Sequence, residues 1–533
     1  MRSITDVLIP MRDGIRIPVD IYLPDGDGPF PTVLIRTPYI KSAPDLQPPA
    51  PRPQAMMLNP EGRSNAVMLR LMNALPAMNV LPLIDEGYAV VVGDSRGTGY
   101  AEGIYDYYNV DGGPLDGYDT IEWLAMQDWS DGNIGLWGIS GSGVLALAAA
   151  VTAPPHLKAV VASAHAVDFY HDQWFPGGVY RFEDRVRWAL VMQGPIAPLD
   201  PGHPKAKGYE DKRQVFATRY ARFYERMRDG ESMLDLDWAT ESTQHDEFDE
   251  YWEKFDFTER LGNITAPTLA TGVFFDHFIG GTTRMFTGVG VTKRLVLVPG
   301  MLDIAGEVGI AGVDELLVRW FDRFLKGVDN QVDQEAPVRL HLTGSGAVVE
   351  SQSWPPAEAE PWALHLAVSA DNSLDLLAES GPVGALELVH DPASPNPSPV
   401  DTADQRAFDS GALVFTSEPL DERVVVAGEP LLTLSASPLA ADIDLAVRLS
   451  DVQPDGASQL LGTGQLRVRA DANARVIELR LQPVAFDVAP GHRIRLAIAT
   501  SDFPFLAIRP DASTLNLQFG SGAEVLSLPR IHA

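Results

Sequence analysis

The sequence predicts a doubly wound α/β sheet followed by an all-β domain, and three observations carry that reading. Short runs of consecutive apolar residues alternate with helical patterns through roughly the first 330 residues. Beyond about Gln331 the helical pattern vanishes, and short alternating strands are separated by proline, glycine and aspartate turns. Between two stretches of α/β pattern lies a helical, aromatic segment that belongs to neither.

Taken in order, Asp6-Val7-Leu8-Ile9-Pro10 leads into Met11-Arg12-Asp13-Gly14, whose Asp-Gly predicts a hairpin turn, and residues 15–22 return as a second strand. Residues 31–36 and 88–92 are strands of the buried type. A helix from about Gly117 to Met126 precedes the strand Ile134-Gly135-Leu136-Trp137, and another runs from Ser142 to about Val151. Residues 157–163 form the next strand. The pattern resumes at 267–273 and 294–298 and closes with a helix around 313–324.

The expected organisation is an α/β core over 1–164, a helical cap over 165–260, the rest of the core over 261–330 and a jelly-roll β-sandwich over 331–533. An insertion at about 41–79 is rich in proline and methionine (Met56, Met57, Met68, Met72, Met78) and fits an adaptable lid over a hydrophobic substrate. Phe216, Tyr220, Phe223, Tyr224 and Met227 fall at helical spacing, the mark of core packing in the cap.

Composition narrows the partners. There is no cysteine, which excludes disulfides, thiolate metal sites and cysteine nucleophiles. With 41 basic and 72 acidic residues the net charge is −31, so nucleic acid and anionic membranes are not expected partners. The acidic residues are spread along the chain, as on a solvated surface. The longest apolar stretch, about 144–151, falls short of the ~20 residues a bilayer requires. The first residues lack a secretory apolar core, and the expected location is cytoplasmic. No metal or organic cofactor is expected.

The chemistry centres on Gly138-Ile139-Ser140-Gly141-Ser142-Gly143, directly after an apolar strand. Small residues on both sides of a serine predict a sharp strand-to-helix turn, the nucleophile elbow of an α/β-hydrolase. The glycine spacing does not fit a dinucleotide motif, and no P-loop lysine follows. Ser142 falls within the predicted helix. A serine nucleophile needs a base, an orienting acid and an oxyanion hole.

Further motifs carry a resemblance. They are Met11-Arg12-Asp13-Gly14, Arg36-Thr37-Pro38-Tyr39, Asp94-Ser95-Arg96-Gly97-Thr98-Gly99 and Trp129-Ser130-Asp131-Gly132-Asn133-Ile134-Gly135. In the C-terminal region they are Asp451-Val452-Gln453-Pro454-Asp455-Gly456 and Pro490-Gly491-His492-Arg493-Ile494-Arg495-Leu496. In this order they resemble the cocaine-esterase and X-prolyl dipeptidyl-peptidase family of serine hydrolases, over nearly the whole chain. The resemblance implies an α/β-hydrolase core, a helical cap and a jelly roll. It places the nucleophile on Ser140 and the oxyanion hole on the Tyr39 hydroxyl and the Gly141 N–H, where the family usually has a tyrosine. The triad aspartate falls on Asp276, in Phe275-Asp276.

One position departs from the family pattern. Where its histidine step stands, this chain reads Val298-Pro299-Gly300-Met301-Leu302, and Leu302 cannot hold a proton. Loss of a triad histidine costs on the order of a million-fold in rate. The replacement candidates are His165, His277, His171 and the carboxylates Asp303 and Glu307, and the absence of any conventional base is a further alternative.

The favoured reading is a serine hydrolase acting on an ester or amide with a rearranged base. Its hydrophobic small-molecule substrate would meet an apolar pocket formed by Trp174, Phe175, Tyr180, Phe182 and Trp188. The alternatives are a non-hydrolytic enzyme (acyl transfer, cyclisation or elimination, with Tyr39 as acid) and a catalytically silent binding protein. The jelly roll offers a surface for self-association, and a homo-oligomer is a reasonable expectation.

Overall fold

A computed structural model describes residues 1–39, 41, 80–98, 101–103, 105, 113–192, 237–300, 313–369, 373–399 and 402–532. The chain divides into two compact units. The first comprises Met1–Asp168, Val186–Val296 and Gly300–Glu335, and the second Phe169–Arg185, Leu297–Pro299 and Ala336–Ala533.

The strands of the first unit are β1 (Arg2–Pro10), β2 (Arg16–Leu23), β3 (Phe30–Thr37), β4 (Ala89–Asp94), β5 (Ser130–Ile139), β6 (Leu157–Ser163), β7 (Thr268–Val273) and β8 (Lys293–Val298). They lie in the order β1-β2-β4-β3-β5-β6-β7-β8. β1, β2 and β4 pair antiparallel, whereas β4, β3, β5, β6 and β7 pair parallel. The hairpin between β1 and β2 closes where Asp13-Gly14 predicts, with Gly14 at φ 88°. The strands of the buried type are covered on both faces, as in β7, where all six residues are buried.

The helices of this unit include α1 (Leu81–Asp85), α2 (Gly113–Ala125) and α3 (Gly141–Ala150). Every residue of α3 is buried, which its glycine, alanine, valine and leucine composition allows. α8 (Val313–Leu325) sets Trp320 and Phe321 into the core. Between α3 and α8 in sequence come α4 (Phe182–Met192), of which residues 186–192 fall in this unit, α5 (Asp237–Gln244), α6 (Glu250–Glu253) and α7 (Ile279–Gly288). The N-terminal motif residues brace this framework. Arg12 pairs with Asp119 of α2 at 2.6 Å, and Arg96 bridges Asp13 and Asp116, each at 2.5 Å.

The second unit is β-rich, as the turn-separated alternating strands predict. Strand Ile443–Val452 pairs antiparallel with Ser458–Val468 on one side and Arg493–Ala499 on the other. Leu445, Val447, Phe415, Phe486, Leu496 and Leu526 fill its core. Phe169–Arg185, the first part of the expected cap, groups with this unit and not with the core. Its Gly177 lies so close to the strand Ser458–Val468 that a Cβ would stand 2.1 Å from the Gln465 carbonyl oxygen. The rest of the expected cap lies partly outside the described residues, as do the methionine-rich insertion and the Phe216–Met227 helical spacing. Among the described residues, no helix is long and apolar enough to cross a membrane.

Candidate active site

The elbow forms as the glycine spacing predicts. Between β5 and α3, Ser140 adopts φ 55° and ψ −124°, a region that costs a non-glycine residue about 1–3 kcal/mol. Two backbone hydrogen bonds hold it there: Ser140 N–H to the Ser163 carbonyl and Val144 N–H to the Ser140 carbonyl, both 3.0 Å. The turn is so tight that a Cβ on Gly138 would sit 2.1 Å from the Ser142 carbonyl oxygen. Ser140 is 8% exposed. The Gly141 N–H opens the buried helix, where no intrahelical acceptor exists and the helix dipole is positive.

Tyr39 comes to the same edge through topology. β3 and β5 are parallel neighbours, and their connections leave in opposite directions, to β4 and to β6. Their carboxyl ends therefore flank a switch-point crevice, where α/β sheets bind ligands. The Tyr39 N–H donates to Thr37 Oγ1 at 3.0 Å, and its hydroxyl accepts from Trp188 Nε1 at 3.2 Å. Because that hydroxyl accepts, its own hydrogen stays available to donate. The next described residue, Lys41, donates its N–H to Asp94 Oδ1 at 2.6 Å and its ammonium to Asp6 and Asp20 at 2.7 and 2.6 Å. Sequence reasoning missed this anchor. The only signals were a lysine two residues past the tyrosine and an aspartate at the end of β4.

Asp276 follows β7, whose carboxyl end shares the edge of β5 and β6. Its turn is tied by Asp276 N–H to the Val273 carbonyl at 3.3 Å and Phe275 N–H to the Gly300 carbonyl at 3.1 Å. The carboxylate is buried, and His277 Nδ1 stands 3.2 Å from Asp276 Oδ1. At the turn into α7 these neighbouring side chains thus stand within ion-pair distance of one another. The His277 side chain is 17% exposed, so its ring keeps an accessible part.

His165 has the opposite environment. It is fully buried, its Nε2 lies 2.8 Å from Met285 Sδ on α7, and its Nδ1 has no hydrogen-bond partner. Burial lowers its pKa to about 4, so it is neutral near pH 7. The expectation of a relocated base at His165 does not fit this surrounding, because the end of β6 turns its imidazole into packing beneath α7. His171 belongs to the second unit, in the π-turn Tyr170–Trp174. Leu302, Asp303 and Glu307 lie outside the described residues.

Of the aromatic residues expected to line the substrate pocket, Trp188 is the one that hydrogen-bonds Tyr39 among the described residues. Trp174, Phe175 and Tyr180 sit in the second unit and pack on one another. Trp174 and Phe175 are 1% and 3% exposed, and their rings lie 6.0 and 5.4 Å from that of Tyr180. Burial pushes the Tyr180 phenol up to about 12. A separate cavity of about 370 Å³ in the second unit is lined by Gln453, Gly491, Arg493 and Arg495, and it holds none of the candidate catalytic residues.

Comparison with known proteins places these features in context. Residues 13–301 match the family described as X-Pro dipeptidyl-peptidase (S15 family), and residues 330–525 match the X-Pro dipeptidyl-peptidase C-terminal non-catalytic domain. The cocaine esterase of Rhodococcus sp. (strain MB1 Bresler) is 29% identical over 556 residues, covering 94% of this chain and 91% of that protein. Among solved structures, an aminopeptidase from a marine sediment Thaumarchaeota archaeon aligns with a TM-score of 0.77 at 23% identity, covering 100% and 96% of the two chains. An α-amino acid ester hydrolase aligns with a TM-score of 0.77 at 21% identity, covering 99% and 96%. These two alignments share the two-part fold.

Proposed function

The chain belongs to the X-Pro dipeptidyl-peptidase (S15) family, and from that premise we propose that it hydrolyses an ester or amide through Ser140, with His277 standing in as base. Hydrolase chemistry follows from the family itself. The observation that carries the residue assignment is the conformation of Ser140, a positive-φ serine at the head of a buried helix.

In this reading the Ser140 hydroxyl attacks an acyl carbonyl. The carbonyl oxygen, as it becomes an oxyanion, takes hydrogen bonds from the Gly141 N–H and the Tyr39 hydroxyl. His277 Nε2 receives the serine proton, and Asp276 stabilises the resulting imidazolium from the Nδ1 side, as an orienting acid does. The imidazolium then returns a proton to the departing alcohol or amine. Water, deprotonated by the same imidazole, hydrolyses the acyl-enzyme. Trp188 is proposed to give the acyl side of the pocket its apolar wall, in keeping with a hydrophobic small-molecule substrate.

Intact mass after treatment with a fluorophosphonate probe tests the assignment. The expected result is one adduct on the native protein, none on Ser140→Ala, and labelling slowed by about 100-fold or more in His277→Gln. No adduct on the folded native protein would overturn Ser140 as an activated nucleophile. Equal labelling rates in His277→Gln would remove His277 as the base.

A further inference from the structure

We infer that Lys41 is a positioning residue for the oxyanion tyrosine. This rests on the reading of Tyr39 as an oxyanion donor. Tyr39 itself lies in a loop two residues beyond the end of β3, and a loop hydroxyl stabilises an oxyanion only if its position is held to within a fraction of an ångström. On its N-terminal side the loop is pinned by the Thr37 side chain at Tyr39 N–H and by Ser95, whose N–H and Oγ both donate to the Thr37 carbonyl, at 2.9 and 3.2 Å. On its C-terminal side the described anchor is Lys41.

That anchor is built from three separate strands. Lys41 N–H reaches Asp94 Oδ1 at the end of β4, Nζ reaches Asp20 Oδ1 in β2, and Nζ also reaches Asp6 Oδ1 in β1. The Lys41 side chain is 1% exposed and Asp20 5%, while Asp6 is 66% exposed. Asp6 stands at a register shift in β1, between Ile4 and Val7, with φ 55°. That left-handed kink sits where the strand turns a carboxylate toward the ammonium, and its N–H donates to the same Asp20 oxygen at 2.9 Å. Such strain is stored where surrounding contacts over-determine it, and here the contact is Lys41.

The charge arrangement explains why a lysine stands here. Asp20 and Asp94 are both buried, and the ammonium compensates them where water cannot. Burial alone would depress the lysine, but the hydrogen bonds to Asp20 and Asp6 outweigh it, and its pKa is raised. Lys41 therefore stays charged across the working pH range, a fixed peg rather than a proton carrier. It touches no reacting atom and acts through Tyr39.

A double-mutant cycle read by the rate of fluorophosphonate labelling tests this. Tyr39→Phe alone is expected to slow labelling by about 100-fold. Lys41→Met alone should slow it on the order of 10-fold through misplacement of the hydroxyl. In the Tyr39→Phe background, Lys41→Met should add less than about 2-fold, because no hydroxyl remains to misplace. Should Lys41→Met fail to fold, as shown by its melting temperature, Asp6→Asn replaces it in the same cycle. Asn tolerates the left-handed conformation, and the buried Lys41–Asp20 pair is kept. Equal losses in both backgrounds would overturn the inference and make Lys41 a structural residue only. An unchanged rate in Tyr39→Phe alone would overturn the oxyanion role of Tyr39, and the inference with it.

Discussion

The environment of His165 makes a pH-dependent stability loss that can be worked out in advance. Its folded-state pKa lies near 4 against an ordinary value of 6.5, because burial penalises the imidazolium. Between those values the unfolded chain binds the proton and the folded one does not, so stability falls as pH falls. Linkage between the two pKa values gives a loss of about 2 kcal/mol on going from pH 7.5 to pH 5, and about 3 kcal/mol by pH 4. Above about pH 7.5 this histidine should contribute almost no slope. His165→Leu fills the same buried space beside Met285 without a titrating group, so the variant should lose about 2 kcal/mol less than the native protein over that range. Urea unfolding at pH 7.5 and pH 5, for both proteins, measures the difference. An identical pH dependence in the two would refute the argument, and so would loss of fluorophosphonate labelling in the variant at pH 7.5. The latter would return His165 to the role of base.

Two further outcomes follow from the site geometry. Gly138→Ala would drive a Cβ into the Ser142 carbonyl at 2.1 Å, with the Ser142 carbonyl carbon at 2.3 Å, so the first turn of α3 must move. We expect about 2–3 kcal/mol of lost stability by urea unfolding, together with loss of Ser140 labelling; labelling at the native rate would contradict the elbow geometry. Trp188→Phe keeps an aromatic wall but removes the N–H donated to Tyr39 at 3.2 Å. The labelling rate should fall about 5-fold, in line with one neutral hydrogen bond, with the melting temperature nearly unchanged. A rate equal to the native one would mean that this hydrogen bond does not tune the tyrosine.

By itself the sequence determined the architecture and the elbow. Consecutive apolar strands can be buried on both faces only in a helix-covered parallel sheet, so 267–273 was legible as a core strand without reference to anything distant. Gly138 and Gly143 were legible because a strand-to-helix turn leaves no room for a Cβ. These are local constraints, enforced by sterics over a few residues.

The tertiary structure decided what depends on meetings between distant segments. His165 and His277 are both plausible bases in one dimension. They part only because β6 buries one against Met285, 120 residues away, while the turn into α7 sets the other against Asp276. Trp174 and Trp188 share one aromatic stretch of sequence, yet the first packs in the β-rich unit and the second reaches Tyr39. Lys41 is a single residue at the edge of an insertion until β1, β2 and β4 converge on it. Electrostatics and hydrogen bonding act over a few ångströms in space, whatever the separation along the chain. Spacing in the sequence therefore fixes which chemistry-bearing groups are present, and only folding selects which of them share a site.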